Sequence, residues 1–278
     1  MVDEVPRSRQ ARLAAEQALV RIVHHYGAKP EFVVLGGLVP ETLCSNSTRR
    51  HAGTTDIDVQ VNLEIECGAV NAERLERALK NAEFEPDNER VWRWRVISED
   101  TRAVVKFELL ADRDDKPFDA TFSFDNCERL GAANLRGTKY AIEDIEIRKL
   151  TAKVGEDRHT VEINVTGVAG FLLAKCAAAH SRRKPKDWYD IAFVLLHNDV
   201  GGPAAAASAV IEKFGDVLSA SKTALDDLAA NFADAKAQGP KAYAEQFLVE
   251  HPDYDRETAT ADAVIAVAEF CEALAKHL

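Results

Sequence analysis

Along the first part of the chain the apolar positions switch between a helical and a strand period, and beyond Gly167 they keep the helical one. Leu13, Ala14, Ala18, Ile22 and Val23 fall at helical spacing and predict a helix over 9–26, ended by Gly27 and Pro30. Residues 31–35 (EFVVL) read as a short buried strand running into Gly36-Gly37, with a helix at 38–46 and a polar loop over 45–53. The clearest signal is residues 56–63, where Asp56, Asp58, Gln60 and Asn62 alternate with Ile57, Val59, Val61 and Leu63. A strict period of two means one buried face and one polar face. A helix at 69–82 follows, then strands at 91–97, 103–111 and 118–124. In the first of these, Trp92, Trp94 and Val96 alternate with Arg93 and Arg95, which makes the tryptophans core. In the second, Val105, Phe107 and Leu109 alternate with Lys106 and Glu108. Residues 131–143 look like a turn-rich loop, with short strands near 145–150 and 159–166. The fold expected is an α/β (α+β) N-terminal domain with a mixed sheet, residues 1–165, followed by an all-helical C-terminal bundle, residues 166–278.

Composition narrows the class. Hydrophobic residues make up 46% and charged residues 29%, as in ordinary globular proteins. No apolar run approaches the roughly 18 residues that span a bilayer, and the first residues carry no apolar signal-peptide core, so no membrane association is expected. Five scattered cysteines with no CxxC pair point to a reducing, cytoplasmic setting. A net charge of −11 argues against a general nucleic-acid coat protein. The charge is uneven, however: residues 201–278 carry −7, whereas Lys175–Lys186 holds five bases and no acid. Such a patch suits a triphosphate or an RNA end. The histidines, including His51, show no metal-ligand spacing and read as surface or internally satisfied. Neither GxxxxGK[ST] nor GxGxxG occurs.

Residues two apart on a strand share a face, so the Asp56 and Asp58 carboxylates project together, about 7 Å apart. Two adjacent acids repel unless a cation lies between them, and hard oxygen ligands suit Mg²⁺ or Mn²⁺. Gly36-Gly37, at the junction of a strand and a helix, lets backbone N–H groups approach phosphate oxygens. Glu108 lies on an alternating strand and is the first candidate for a third acid, with Asp112 of the same parity as the second. Lys175 sits in an otherwise apolar helical segment, where a charge needs a partner. Its functional reading is a clamp on the β- and γ-phosphates, so its removal is expected to weaken nucleotide binding with little effect on stability. Arg182, seven residues on, falls on the same helical face. In the next helix Trp188, Ile191, Ala192 and Leu195 form the core stripe, with Asp187 and Asp190 off it.

The run VLGGL, residues 34–38, followed by RRHAGTTDIDV, residues 49–59, resembles the signature of minimal nucleotidyltransferases of the DNA polymerase β superfamily. The run FLLAKCAAAHSRRKPKDWYDI, residues 171–191, resembles the AbiEii/MenT toxin-like branch, which adds a helical bundle bearing a Lys and an Asp. Together the blocks span residues 31–200, and the tail shows no further likeness. The resemblance implies a five-stranded mixed sheet and transfer of a nucleotide from an NTP to an acceptor, with release of pyrophosphate. It implies a metal on Asp56, Asp58 and Glu108, and catalytic roles for these three with Lys175 and Asp190. Gly36, Gly37, Arg49, Thr55, Lys175 and Arg182 are the implied nucleotide contacts. The implied acceptor is a tRNA 3′ end or a protein, and a neutralising antitoxin is the implied partner. One departure is plain: the superfamily commonly has Gly-Ser where this chain has Gly36-Gly37, so a serine hydroxyl toward the triphosphate is missing. Two alternatives stay open, an aminoglycoside-like small-molecule acceptor and an inactive partner-binding module of the same fold.

Overall fold

The computed structural model describes residues 8–61, 68–98 and 101–278. They fold as two compact units. One is formed by the described parts of Met1–Val39 and Gly53–Thr166, the other by Pro40–Ala52 with Gly167–Leu278. The chain therefore parts between units at 166/167, close to the sequence break, and also at 39/40 and 52/53.

The first unit is a mixed sheet with helices. α1 (Arg9–Tyr26) opens at Ser8, whose hydroxyl accepts the Ala11 N–H at 3.1 Å, and closes at Gly27 with φ +75°. These are the usual start and stop chemistries of a helix. β1 (Val33–Leu35) runs into a single 3₁₀ turn, Gly36–Leu38, and then α2 (Val39–Leu43). α2 is shorter than the expected 38–46 because the N–H groups of Ser45 and Asn46 bond to the Asp199 carboxylate instead of continuing the helix. β2 (Asp56–Gln60) follows; Asn62, Leu63 and Cys67 lie outside the described residues. Next come α3 (Gly68–Asn81), β3 (Glu85–Pro86), β4 (Arg93–Ile97), β5 (Val104–Ala111) and β6 (Thr121–Ser123). The expected loop at 131–143 is instead β7 (Gly131–Asn134) and α4 (Lys139–Glu143). The small residues of β7 show no period because all four are buried, paired with the end of β5 and with β6. The two short strands expected next are one long hairpin, β8 (Ile145–Val154) and β9 (Asp157–Thr166), ten residues each, turning at Gly155 with φ +62°.

Nine described strands, not five, form the sheet in the order β3-β4-β5-β2-β1-β9-β8, with β7 beside β5 and β6 beside β7. Parallel pairs (β1–β9, β2–β5, β5–β7) mix with antiparallel ones. Ile57, Val59, Val105, Phe107 and Leu109 form its apolar face and are almost fully buried. At about 1.5–3 kcal/mol for each large apolar side chain, this face holds the strands in register.

The second unit is helical: α5 (Val168–Arg182), α6 (Pro185–His197), α7 (Pro203–Phe214), a 3₁₀ stretch at Gly215–Ser221, α8 (Lys222–Asn231), α9 (Gln238–Glu250) and α10 (Arg256–Ala275). α6 departs from the amphipathic pattern expected of it. Every residue from Asp187 to Leu195 is buried, the two aspartates included. None of the described helices is long and apolar enough to cross a membrane.

Candidate active site

Pairing of the strands assembles a polar face from residues far apart in sequence. β2 sets Asp58 opposite Leu35 of β1 on one side and Glu108 of β5 on the other, and sets Asp56 opposite Lys106. β4 then sets Arg93 against Glu108 and Arg95 against Lys106. Directly opposed residues share a face. The result is two cross-strand rows, Asp58–Glu108–Arg93 and Asp56–Lys106–Arg95.

Within these rows opposite charges meet. Lys106 Nζ lies 3.4 Å from Asp56 Oδ1, and Arg93 Nε donates to Glu108 Oε1 at 2.6 Å, with its Nη2 on the same oxygen. The four side chains keep 18–28% of their surface exposed, so each pair is worth about 0.2–1 kcal/mol. Glu108 thus stands beside Asp58 in register. Asp112, the other candidate for a third acid, lies past the end of β5. Its Oδ2 accepts the Lys139 N–H at 3.0 Å where α4 begins, and Arg136 lies 3.8 Å from its carboxylate.

Gly36 has φ +76°, and a Cβ built on it would fall 2.0 Å from Asp58 Oδ2. The Asp58 carboxylate is seated directly over the glycine that opens the turn, where no side chain fits. The Val39 N–H closes that turn on the Gly36 carbonyl, and Gly36 and Gly37 are both buried. Thr54 Oγ1 accepts the Asp56 N–H at 3.1 Å, while the Thr55 carbonyl accepts the Lys106 N–H at 3.0 Å and fixes the start of the ladder. Among the described residues no three His, Cys, Asp or Glu side chains form a metal-holding group. Mg²⁺ commonly takes only one or two carboxylates and fills its shell with phosphate oxygens and water. Asp56 and Asp58, on one face and backed by a glycine turn, fit that donor set.

The helical unit carries a second constellation. α5 ends at Arg183, in the left-handed conformation at φ +48°, and Pro185 opens α6, so the two helices form a hairpin. Lys175 Nζ lies 2.7 Å from Asp190 Oδ2 and 3.1 Å from Asp187 Oδ1. Arg182 grips Asp187 with two bonds of 2.6 Å, from Nε and from Nη2. His51 Nε2 is 3.0 Å from Asp190 Oδ1. Both aspartates and His51 have no exposed side-chain surface. Burial alone would raise the Asp187 carboxyl, but Lys175 and Arg182 outweigh it and hold its pKa below the usual range. Lys175 is thus neither a snorkelling lysine nor an open cation; it neutralises two buried acids. Of the other bases in that segment, Arg183 reaches Asp227 at 3.3 Å.

The segment before Gly53 is docked onto this unit by contacts that the sequence does not advertise. Ser45 and Asn46 bond Asp199, and the His51 N–H donates to Glu41 at 3.0 Å. The Ala52 N–H donates to the Tyr189 hydroxyl at 2.8 Å, and the His51 ring stacks on Tyr189 with centroids 4.8 Å apart. The Arg50 carbonyl meets His251 Nε2 at 3.0 Å, and Arg49 lies 4.9 Å over the Tyr254 ring. His51, set aside on spacing alone, is therefore a buried residue held through its Nε2 on Asp190 and its N–H on Glu41, and Arg49 serves as a cation on an aromatic face.

Residues 133–275 match the family described as "Nucleotidyl transferase AbiEii toxin, Type IV TA system". No curated protein and no solved structure matches the chain. The matched span takes in Lys175, Arg182, Asp187 and Asp190 and continues through the tail, where the sequence alone showed no likeness; Gly36, Asp56, Asp58 and Glu108 precede it. Since it covers just over half of the 278 residues, the chain belongs to the AbiEii family of nucleotidyl transferase toxins of type IV toxin–antitoxin systems.

Proposed function

We propose that this protein transfers a nucleotide from an NTP to an acceptor hydroxyl. The acceptor oxygen attacks the α-phosphorus, the α–β bridging bond breaks and pyrophosphate leaves. The observation that carries the reading is the Asp58 carboxylate seated over Gly36, with Asp56 on the same strand face. Asp56 and Asp58 would hold Mg²⁺ or Mn²⁺, which when bound supplies positive charge against the triphosphate and acidifies the acceptor hydroxyl. Glu108 joins them as third acid by exchanging its bond to Arg93. The glycine at 36 leaves room for the Asp58 carboxylate itself, a space that the Cβ of any other residue at 36 would contest.

Membership of a type IV toxin–antitoxin family supports an antitoxin as partner; the acceptor we propose is a cellular macromolecule, a tRNA 3′ end first and a protein second. The test is to incubate the purified chain with each α-labelled NTP, Mg²⁺ and either total RNA or total protein. Label should enter one acceptor class with one preferred nucleotide. Asp58→Asn should abolish incorporation with an unchanged circular dichroism spectrum, because a neutral amide cannot balance the metal's charge. Full incorporation by that variant would end the reading.

A further inference from the structure

Lys106 has no part in the transfer reading above, yet it lies against Asp56, one of the two carboxylates on which that reading puts a metal. Its ammonium lies 3.4 Å from Asp56 Oδ1, in the cross-strand row that continues to Arg95. Next to it Arg93 does the same for Glu108. On this face, bases from β5 and β4 already balance the Asp56 and Glu108 acids. A divalent ion alone would have to displace Lys106 from Asp56 and would sit close to its charge. A metal bound to a triphosphate meets a different balance, because the phosphates bring several negative charges within reach of an ammonium on a four-carbon stem. Lys106 is about a quarter exposed, so it has room to turn.

We propose that Lys106 is an internal counter-cation of Asp56 that becomes a triphosphate contact when nucleotide arrives. It opposes free metal and favours metal–nucleotide, which makes the metal site dependent on its substrate. This rests on the transfer reading and deepens it, since it names the residue that couples the two ligands. The substrate class it selects is a polyphosphate carrying its own divalent ion.

The coupling makes one substitution move two affinities in opposite directions. Binding of Mn²⁺ to the full chain, followed by the electron paramagnetic resonance of free Mn²⁺, is measured with and without a non-hydrolysable NTP analogue. Lys106→Met should bind Mn²⁺ alone about two- to fivefold more tightly, the scale of a partly exposed ion pair. It should bind the Mn²⁺–nucleotide about tenfold more weakly, through loss of a charge-assisted phosphate contact. Lys106→Arg, which keeps the charge, should remain near the parent in both; Lys106→Gln stands in if the Met variant folds poorly. Both affinities unchanged, or both falling together, would overturn the inference while leaving the transfer reading intact. A parent that binds no Mn²⁺–nucleotide, or Asp58→Asn binding it as well as the parent does, would overturn the transfer reading and this inference with it.

Discussion

Lys175→Met should unfold this protein earlier, contrary to what a phosphate clamp on a helix surface would do. Lys175 bridges two carboxylates with no exposed surface, at 2.7 Å and 3.1 Å. After the change Asp187 keeps its two bonds from Arg182, whereas Asp190 keeps His51 but loses its shortest charged contact. Removing one partner of a buried ion pair costs about 3–5 kcal/mol, because the remaining charge stays desolvated. At about 2–4 °C per kcal/mol for a chain of this size, the Tm should fall by about 6–20 °C. The control is Lys175→Met with Asp190→Leu, which replaces the pair with apolar volume. If the pair is the cause, the double variant should recover most of the loss, since buried pairs exchanged whole are often nearly neutral. Both are measured by thermal melts in the same buffer, beside nucleotide affinity. A Tm within 2 °C of the parent for Lys175→Met, or costs that simply add in the double variant, would refute the reasoning.

Two further outcomes follow from single geometric facts. Gly36→Ala should abolish transfer, because its methyl would lie 2.0 Å from Asp58 Oδ2 at a φ of +76°; stability should fall by about 1–2 kcal/mol, read by a melt beside the transfer assay. His197 has its pKa pushed down to about 4, chiefly by burial and then by Arg49, His251 and His51. Between pH 6.5 and 4 the unfolded chain binds a proton there that the folded one refuses, so stability should drop by up to about 3 kcal/mol as pH falls through that window and then level off. Urea titrations at pH 7, 5.5 and 4.5 check this, and His197→Phe should flatten the dependence; an unchanged slope in that variant would remove His197 as its source.

The parts of the site that the sequence revealed are those fixed by parity, and the parts it hid are those fixed by register. Alternation over Asp56–Gln60 is a local property, and it put both aspartates on one face before any neighbour was known. The same alternation put Lys106 and Glu108 on one face of β5. Sliding β5 by two residues would preserve that face and yet set Lys106 against Asp58; only the observed ladder places Glu108 there and gives Asp56 its lysine. Register depends on packing of Phe107 and Trp94 against partners distant in sequence, and no window of the chain contains that information. The helical unit hid its cluster for a different reason. Helical periodicity separates inside from outside only when one side faces water, and α6 has no such side from Asp187 to Leu195. Two acids three apart on a fully buried helix demand cations, and the bases twelve and five residues before Asp187 were the available signal. The docking of Arg49-Arg50-His51 left no such trace. Its partners Glu41, Tyr189, His251 and Tyr254 supply hydrogen bonds and ring faces that a polar loop sequence is free to meet or to leave to water. That difference bears on the family assignment. The matched residues contain the buried Lys175–Asp190 pair but not the Asp56–Asp58 face, so the family match and the strand motif are independent lines of support. Substitution at Asp58 tests the chemistry inferred from the motif, and substitution at Lys175 tests the architecture that the family match covers.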